Sequence, residues 1–319
     1  MSAIWAIGLM TGTSLDGNID AALIKSDGVT VEKFLDYQLS PYPLDTRVLI
    51  SEAIEVARKW NFFGPKPDIF KTAEKSITLA QSEAVNLLIK KSNINRSDIG
   101  VIGFHGQTVL HRPPEPGNFG KTLQLGDGSL MSQLLGIPVV YDFRAADIKS
   151  GGHGAPLCAS YHKALLERLS SKGNVAILNL GGIGNITWWG PSEGLVAFDT
   201  GPANAPINDF VGWLNKGEMD WNGEFALNGQ VDEKILKSLL CHSYFSKSYP
   251  KSLDRFDFSS DTVKGLSLED GCATLTAFCA STVGKALDML PIRPTEIIVC
   301  GGGRHNSVML KEISIRGNV

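Results

Sequence analysis

The chain has 319 residues, 43% of them hydrophobic and 20% charged, with a net charge of −3 at pH 7. That length suits two domains rather than one. The charge balance leaves no basic footprint for nucleic acid, and no apolar run is long enough to cross a bilayer. The start, MSAIWAIGLM, lacks the basic region and cleavage site of a secretory signal and reads as a first strand. Five cysteines, Cys158, Cys241, Cys272, Cys279 and Cys300, form no close pairs. An odd, scattered set argues for a reducing, cytoplasmic setting rather than a disulfide framework. No CxxC or HExxH spacing suggests a protein-built zinc site.

In chain order, IWAIGLM and IDAALIKS are short apolar runs, and VTVEKFLDYQL alternates. Their short connections predict three antiparallel strands. Helical periodicity follows at residues 44–60 and 68–91, separated by the Gly-Pro-Lys-Pro punctuation at 64–67. Then come a strand DIGVIGFHG, a Pro/Gly loop at 112–120, a strand TLQLGD, a helix at 128–135 and a strand IPVVYDF. The pattern restarts after residues 142–154. NVAILNLGGIGNITWWG reads as strand, glycine turn, strand, and GLVAFDTG adds a third strand. Helices are predicted at 203–214, 232–241 and 268–290, with a last buried strand in EIIVCGGG. KSYPKSLDRFDF, at 247–258, reads as a long surface loop. Two halves that open alike predict two related α/β domains, at 1–145 and 146–319. Trp188 and Trp189 are adjacent, so at most one faces the core.

The stretch GLMTGTSLDGNID carries the first chemical signal. Gly12, Thr13, Ser14, Leu15, Asp16 and Gly17 sit between two strands. Backbone N–H groups and hydroxyls in such a turn can converge on an anion. Asp16 suits that role only with a hydrated Mg²⁺ between it and a phosphate. The same residues would also serve a plain hairpin turn. Further glycine turns occur at Gly181-Gly182, at Asp199-Thr200-Gly201 and at Gly301-Gly302. Glycine lets a ligand approach the backbone closely, so four turns at strand ends suit a nucleotide. Neither a GxxxxGK[ST] loop nor a dinucleotide fingerprint is present.

With GFHGQTVLHRP, TLQLGDGSL, VVYDFRAADI, GGHGAPL, LNLGGIGNIT, FDTGPANAPIND and IVCGGGRHN added, the sequence resembles the anhydro-N-acetylmuramic acid kinases. These belong to the actin, Hsp70 and sugar-kinase superfamily. The resemblance implies two RNase H-like domains of actin-like ATPase type with an ATP cleft between them. It implies ATP-driven phosphorylation of 1,6-anhydro-N-acetylmuramic acid as water opens the anhydro ring, a step of cell-wall recycling. It makes Asp142 the base that activates the water. It assigns the nucleotide to Gly12 through Gly17, Asn18, Ile19, Gly181, Gly182, Asp199, Gly201, Gly301 and Gly302. Mg²⁺ would be held through water by Asp16 and Asp199, and the sugar by His105, Gln107, Gln124 and Arg144. Asp127 is a lesser sugar candidate and Asp147 a structural one. No membrane or nucleic-acid partner is implied, and a homodimer is allowed. The family's closing glutamate-bearing motif has no counterpart after Arg304, which leads to the expectation of a missing closing segment and lost activity. An ordinary sugar kinase and a non-catalytic nucleotide-binding protein are the alternatives.

Overall fold

A computed structural model of the chain describes residues 2–11, 17–169 and 174–319. The chain divides into two compact units, Met1–Gly154 and Ala155–Val319. The first unit is built from β1 (Ile4–Met10), β2 (Asn18–Ser26), β3 (Val31–Pro41), α1 (Leu44–Trp60), α2 (Ile69–Ser92) and β4 (Ile99–Phe104). It continues with β5 (Gln107–Arg112), β6 (Lys121–Leu125), α3 (Gly128–Leu135), β7 (Val139–Tyr141) and α4 (Phe143–Lys149). Its main sheet has the order β3-β2-β1-β4-β7. β1, β2 and β3 are successively antiparallel, as their short connections require, while β4 pairs parallel with β1 and β7 with β4.

Alternation sets the buried face of this sheet. Ile7 and Leu9 of β1, and Ile19, Ala21 and Leu23 of β2, are buried, whereas Asp20 and Ala22 are exposed. α2 packs on β2 and β3, and its Phe70, Ala73, Ile77, Ala84 and Leu88 recur at helical spacing among the buried residues. α1 ends where Asn61 and Phe62 turn left-handed.

The second unit contains α5 (Ala159–Arg168), β8 (Val175–Leu180), β9 (Ile183–Gly190), β10 (Gly194–Pro202), α6 (Asn204–Trp213), α7 (Glu224–Asn228) and α8 (Glu233–Leu240). α9 (Leu268–Leu287), β11 (Glu296–Cys300) and α10 (Ser307–Gly317) complete it. Its sheet runs β10-β9-β8-β11, again an antiparallel trio with a parallel strand beside the first. α9 is the hub. Cys272, Leu275, Cys279, Val283 and Leu287 lie in one core cluster with Leu178, Ile186, Phe198, Phe210 and Met309. The two cysteines are therefore packing residues, and burial pushes both thiols up to about 12. Trp188 is buried and its neighbour Trp189 is only partly so.

Two features depart from the sequence reading. β5 occupies residues left unassigned ahead of the 112–120 loop, and α4 falls within the segment read as the domain boundary. The segment read as a surface loop at 247–258 is exposed at 247–250 but turns inward at its centre, with Lys251, Ser252, Leu253 and Asp254 each no more than 6% exposed. Its backbone is sewn to β10: Asp199 N–H donates to Lys251 O, and Leu253 N–H donates to the Asp199 carboxylate. The Lys251 ammonium lies over the Phe198 and Tyr244 rings. Among the described residues no helix is long and apolar enough to cross a membrane.

Candidate functional residues at the carboxyl edge of each sheet

In sheets with parallel strands, ligands collect beyond the carboxyl ends. The register of the first unit places Leu9, Phe104 and Tyr141 in one row across β1, β4 and β7. The residues that follow them are Met10, His105 and Asp142, so the edge of this sheet gathers three predicted segments.

His105 is buried there. The Arg144 Nε–H donates to His105 Nε2 at 2.7 Å, and guanidinium can only donate, so Nε2 is unprotonated. The proton sits on Nδ1, 2.6 Å from the Gly106 carbonyl. Burial, reinforced by the Arg144 charge, holds the imidazole far down, at about 3. The same Gly106 carbonyl accepts from Thr11 Oγ1 at the end of β1. Gly106 has φ +68°, and a Cβ there would stand 2.6 Å from Leu125 O, so only glycine serves this turn.

Arg144 also donates through Nη1 to Gly154 O, while Asp147 accepts from Gly154 N–H. Two side chains one helical turn apart on α4 thus hold both polar groups of Gly154. Asp147 is a loop anchor, as the sequence suggested. Asp142 caps α4 in a left-handed conformation, φ 56°, without a side-chain cap bond to the helix. Partial burial raises its carboxyl above the ordinary 3.8, and the Lys66 charge opposes that rise.

A polar ladder extends from this edge along β5 and β6. A bulge between Thr108 and Leu110 brings Thr108 and His111 opposite Gln124 and Thr122. Gln124 Nε2 donates to the Oγ1 atoms of Thr108 and Thr122, and His111 Nδ1 meets Thr122 Oγ1. Gln124 Oε1 is buried without a hydrogen-bond partner. Gln107 is buried and its amide donates to the Thr108 carbonyl. Asp127 accepts from Leu130 N–H as the N-cap of α3.

The second unit's edge is made of backbone. Asn179 on β8 pairs with Cys300 on β11, so the Gly181-Gly182 and Gly301-Gly302 turns leave neighbouring strand ends. The N–H groups of Ala203, Asn204 and Ala205 donate to the carbonyls of Gly182, Gly181 and Gly182. Asn204 Nδ2 adds bonds to Leu180 O and Gly181 O. In a trans peptide the N–H points opposite to the C=O. Fixing the Gly181 carbonyl toward α6 therefore turns the Gly182 N–H away from it, as a donor for an anion.

The family profile described as "Anhydro-N-acetylmuramic acid kinase" matches residues 4–316. An anhydro-N-acetylmuramic acid kinase from Mesorhizobium japonicum is 56% identical over all of this chain and 86% of its own length. One from Brucella anthropi is 58% identical with the same coverage. The chain belongs to the anhydro-N-acetylmuramic acid kinase family. Among solved structures, an activator of 2-hydroxyisocaproyl-CoA dehydratase from Clostridium difficile with bound ADPNP aligns over 100% of this chain and 86% of that one. Its TM-score is 0.43 at 10% identity, too low a likeness to carry an argument.

Several residues expected to bind ligand also carry structural contacts. Asp199 is buried, and its carboxylate accepts from Leu253 N–H. It ties residues 251–253 to β10. Gly201 makes room for α9: a Cβ would stand 2.5 Å from Thr282 Oγ1. Ile19 is a core side chain, 1% exposed. Gly301 needs φ +79° and close packing on β8, whereas Gly302 faces open space. Gly17, φ +76°, lies against the Arg47 guanidinium, and Asn18 opens β2. Gly12, Thr13, Ser14, Leu15 and Asp16 lie outside the described residues. Among the described residues no group of three or more His, Cys, Asp or Glu side chains could hold a metal ion. The sequence reading missed Thr11, Gly106 and Asn204. Only Asn204, a polar residue just after a Gly-Pro turn, carried a local signal.

Proposed function

We propose that the chain uses ATP to open 1,6-anhydro-N-acetylmuramic acid with water, giving N-acetylmuramic acid 6-phosphate and ADP. The family is one of ATP-dependent kinases, and its name supplies the sugar. Asp142 takes a proton from the water whose oxygen bonds to the anomeric carbon. The bond from that carbon to the ring-bridging oxygen breaks, and that oxygen receives the γ-phosphoryl group. Phosphoryl transfer asks the protein mainly for positioning and charge stabilisation, and one positioned base contributes roughly 100- to 10,000-fold.

The observation that carries this reading is Asp142 itself. It stands at the carboxyl end of β7 with no cap bond to α4, and its proton affinity is raised by partial burial. The Arg144–His105 pair beside it supports a sugar site, with Gln107 and Gln124 lining the adjoining ladder. His105 stays neutral and positions Arg144 rather than shuttling a proton. The Gly181-Gly182 and Gly301-Gly302 turns take the nucleotide in the second unit.

The described residues make no cage for Mg²⁺. A cation would be held largely by phosphates and water, with Asp16, outside the described residues, as its protein contact. Five free cysteines and ATP as donor support a cytoplasmic setting. The test is turnover of the anhydro sugar in ¹⁸O-labelled water. Label at the anomeric hydroxyl of the product, lost together with turnover in Asp142→Asn, is the expected result. Unlabelled product would mean ordinary hydroxyl phosphorylation.

A further inference from the structure

The Asn179 side chain has no role in the site as described so far, yet it stands where the two glycine turns of the second unit meet. It is the penultimate residue of β8, with Asn185 of β9 on one side and Cys300 of β11 on the other. Cys300 Sγ–H donates to Asn179 Oδ1 at 3.7 Å. A Cβ on Gly301 would stand 2.5 Å from that same Oδ1 and 2.7 Å from Leu180 O. A Cβ on Gly303 would stand 2.6 Å from Leu180 Cβ. The turn after β11 is therefore seated directly on the end of β8, and Asn179 forms part of the seat.

The other side of β8 is fixed by different groups. Leu180 O and Gly181 O are held by the Asn204 amide, and the Gly182 carbonyl by the first N–H groups of α6. The turn after β8 is thus anchored to α6, and the turn after β11 is anchored to β8 through Asn179. Besides Asn179, the turn after β11 is held by its strand, by the packing of Gly303 on Leu180, by Arg304, whose Nη1 donates to Gly301 O, and by the Asn306 N–H bond to Gly303 O.

We propose that Asn179 is a positioning residue that locks the Gly301 turn onto the Gly181-Gly182 turn, making one preformed nucleotide clasp of two strand ends. This rests on the reading that these turns take the nucleotide. Preformed geometry matters because ordering loops at the moment of binding subtracts from affinity. The side chain acts through backbone it supports, so its loss should appear in nucleotide affinity and leave the sugar side alone.

The experiment is ATP-analogue calorimetry plus steady-state kinetics on the full chain and on Asn179→Ala, Cys300→Ala and the double variant. In Asn179→Ala the Kd for the analogue and the KM for ATP should rise about tenfold. The KM for the anhydro sugar and the melting temperature should change little. Cys300→Ala, which removes the tie from its other end at a half-buried position, should raise the Kd about two- to threefold. The double variant should resemble Asn179→Ala, because residues sharing one contact are not additive. If Asn179→Ala does not fold, Cys300→Ala carries the test, and an unchanged Kd there overturns the proposal. Equal losses toward ATP and sugar, or a fully additive double variant, also overturn it. A full chain that binds no ATP analogue at all would instead defeat the nucleotide assignment on which the proposal rests.

Discussion

The two units share a strand plan and differ in what their described residues place at its end. Each sheet has an antiparallel trio with a parallel strand beside the first, extended by β7 in the first unit, so each has a carboxyl edge where strand ends gather. In the first unit that edge carries side chains: Asp142, the Arg144–His105 pair and the ladder from Gln124 to His111. In the second it carries backbone: glycine turns whose carbonyls are tied to α6 and whose seat is Asn179. A sugar presents hydroxyls at fixed angles and is read by directed side chains. Phosphates and a flat base need close approach more than direction, and bare backbone supplies it. Under the proposed function, the same topology would separate the two kinds of recognition by what is placed on the strand ends.

The largest effect expected from breaking this division is Asp142→Asn. Turnover should fall roughly 100- to 10,000-fold while nucleotide affinity, assigned to the other unit, stays unchanged. The folded state raises the Asp142 carboxyl, so its ionisation opposes folding as pH rises through that value. Thermal melting at neutral pH should then show an equal or slightly higher melting temperature for the Asn variant. In the wild-type chain kcat/KM should fall on the acid side as Asp142 takes up its proton, and that limb should vanish in the residual activity of the variant. Parallel losses of ATP affinity and turnover would end the division of labour.

Next is Gly301→Ala. Gly301 has φ +79° and ψ 177°, a region essentially reserved for glycine that costs another residue roughly 1–3 kcal/mol, and the added Cβ also meets Leu180 O at 2.7 Å. Denaturant titration should show a loss of at least that size, with weakened ATP binding. Gly302→Ala, which meets open space, should leave stability nearly unchanged. A similar stability loss at both positions would mean that the turn is not seated as described.

Asp199→Ala should behave as the removal of a loop anchor. It strands the Leu253 N–H in a buried setting, at roughly 1–3 kcal/mol, and the Mg²⁺ concentration for half-maximal activity should not move. A selective rise in that Mg²⁺ requirement would restore Asp199 to the metal.

The smallest effect is graded acid sensitivity. His105 and His111 of the first unit are held neutral to about 3, and His162 of the second to about 4. A depressed histidine contributes stability that is present above its unfolded value near 6.5 and is lost as pH falls toward the folded one. Hydrogen exchange between pH 6.5 and 4 should therefore show protection decreasing first around β5 and β6. Uniform loss across both units would remove this difference.

Much of this comparison was legible in the residues. Apolar runs bounded by glycine gave the strands of both sheets, and 3.6-residue spacing gave α1, α2 and α9 with their ends nearly in place. The motif sequence alone carried the family, and with it Asp142. The roles of individual glycines were not legible, because a glycine that admits a ligand and one that admits Thr282 or Leu180 look identical in a sequence. The inward turn at 251–254 was not legible for a related reason. Lys251 looks solvated until two aromatic rings take its ammonium and a buried carboxylate holds the backbone beside it.

The sequence by itself determined the two-fold strand plan, the glycine turns and the family, since all three rest on local periodicity or contiguous motifs. Only the tertiary structure decided which polar groups face one another. Arg144 meets His105, 39 positions away, and Asn179 meets Cys300, 121 positions away. Such pairings are fixed by strand order and register, and register is a property of the assembled sheet that no single segment contains.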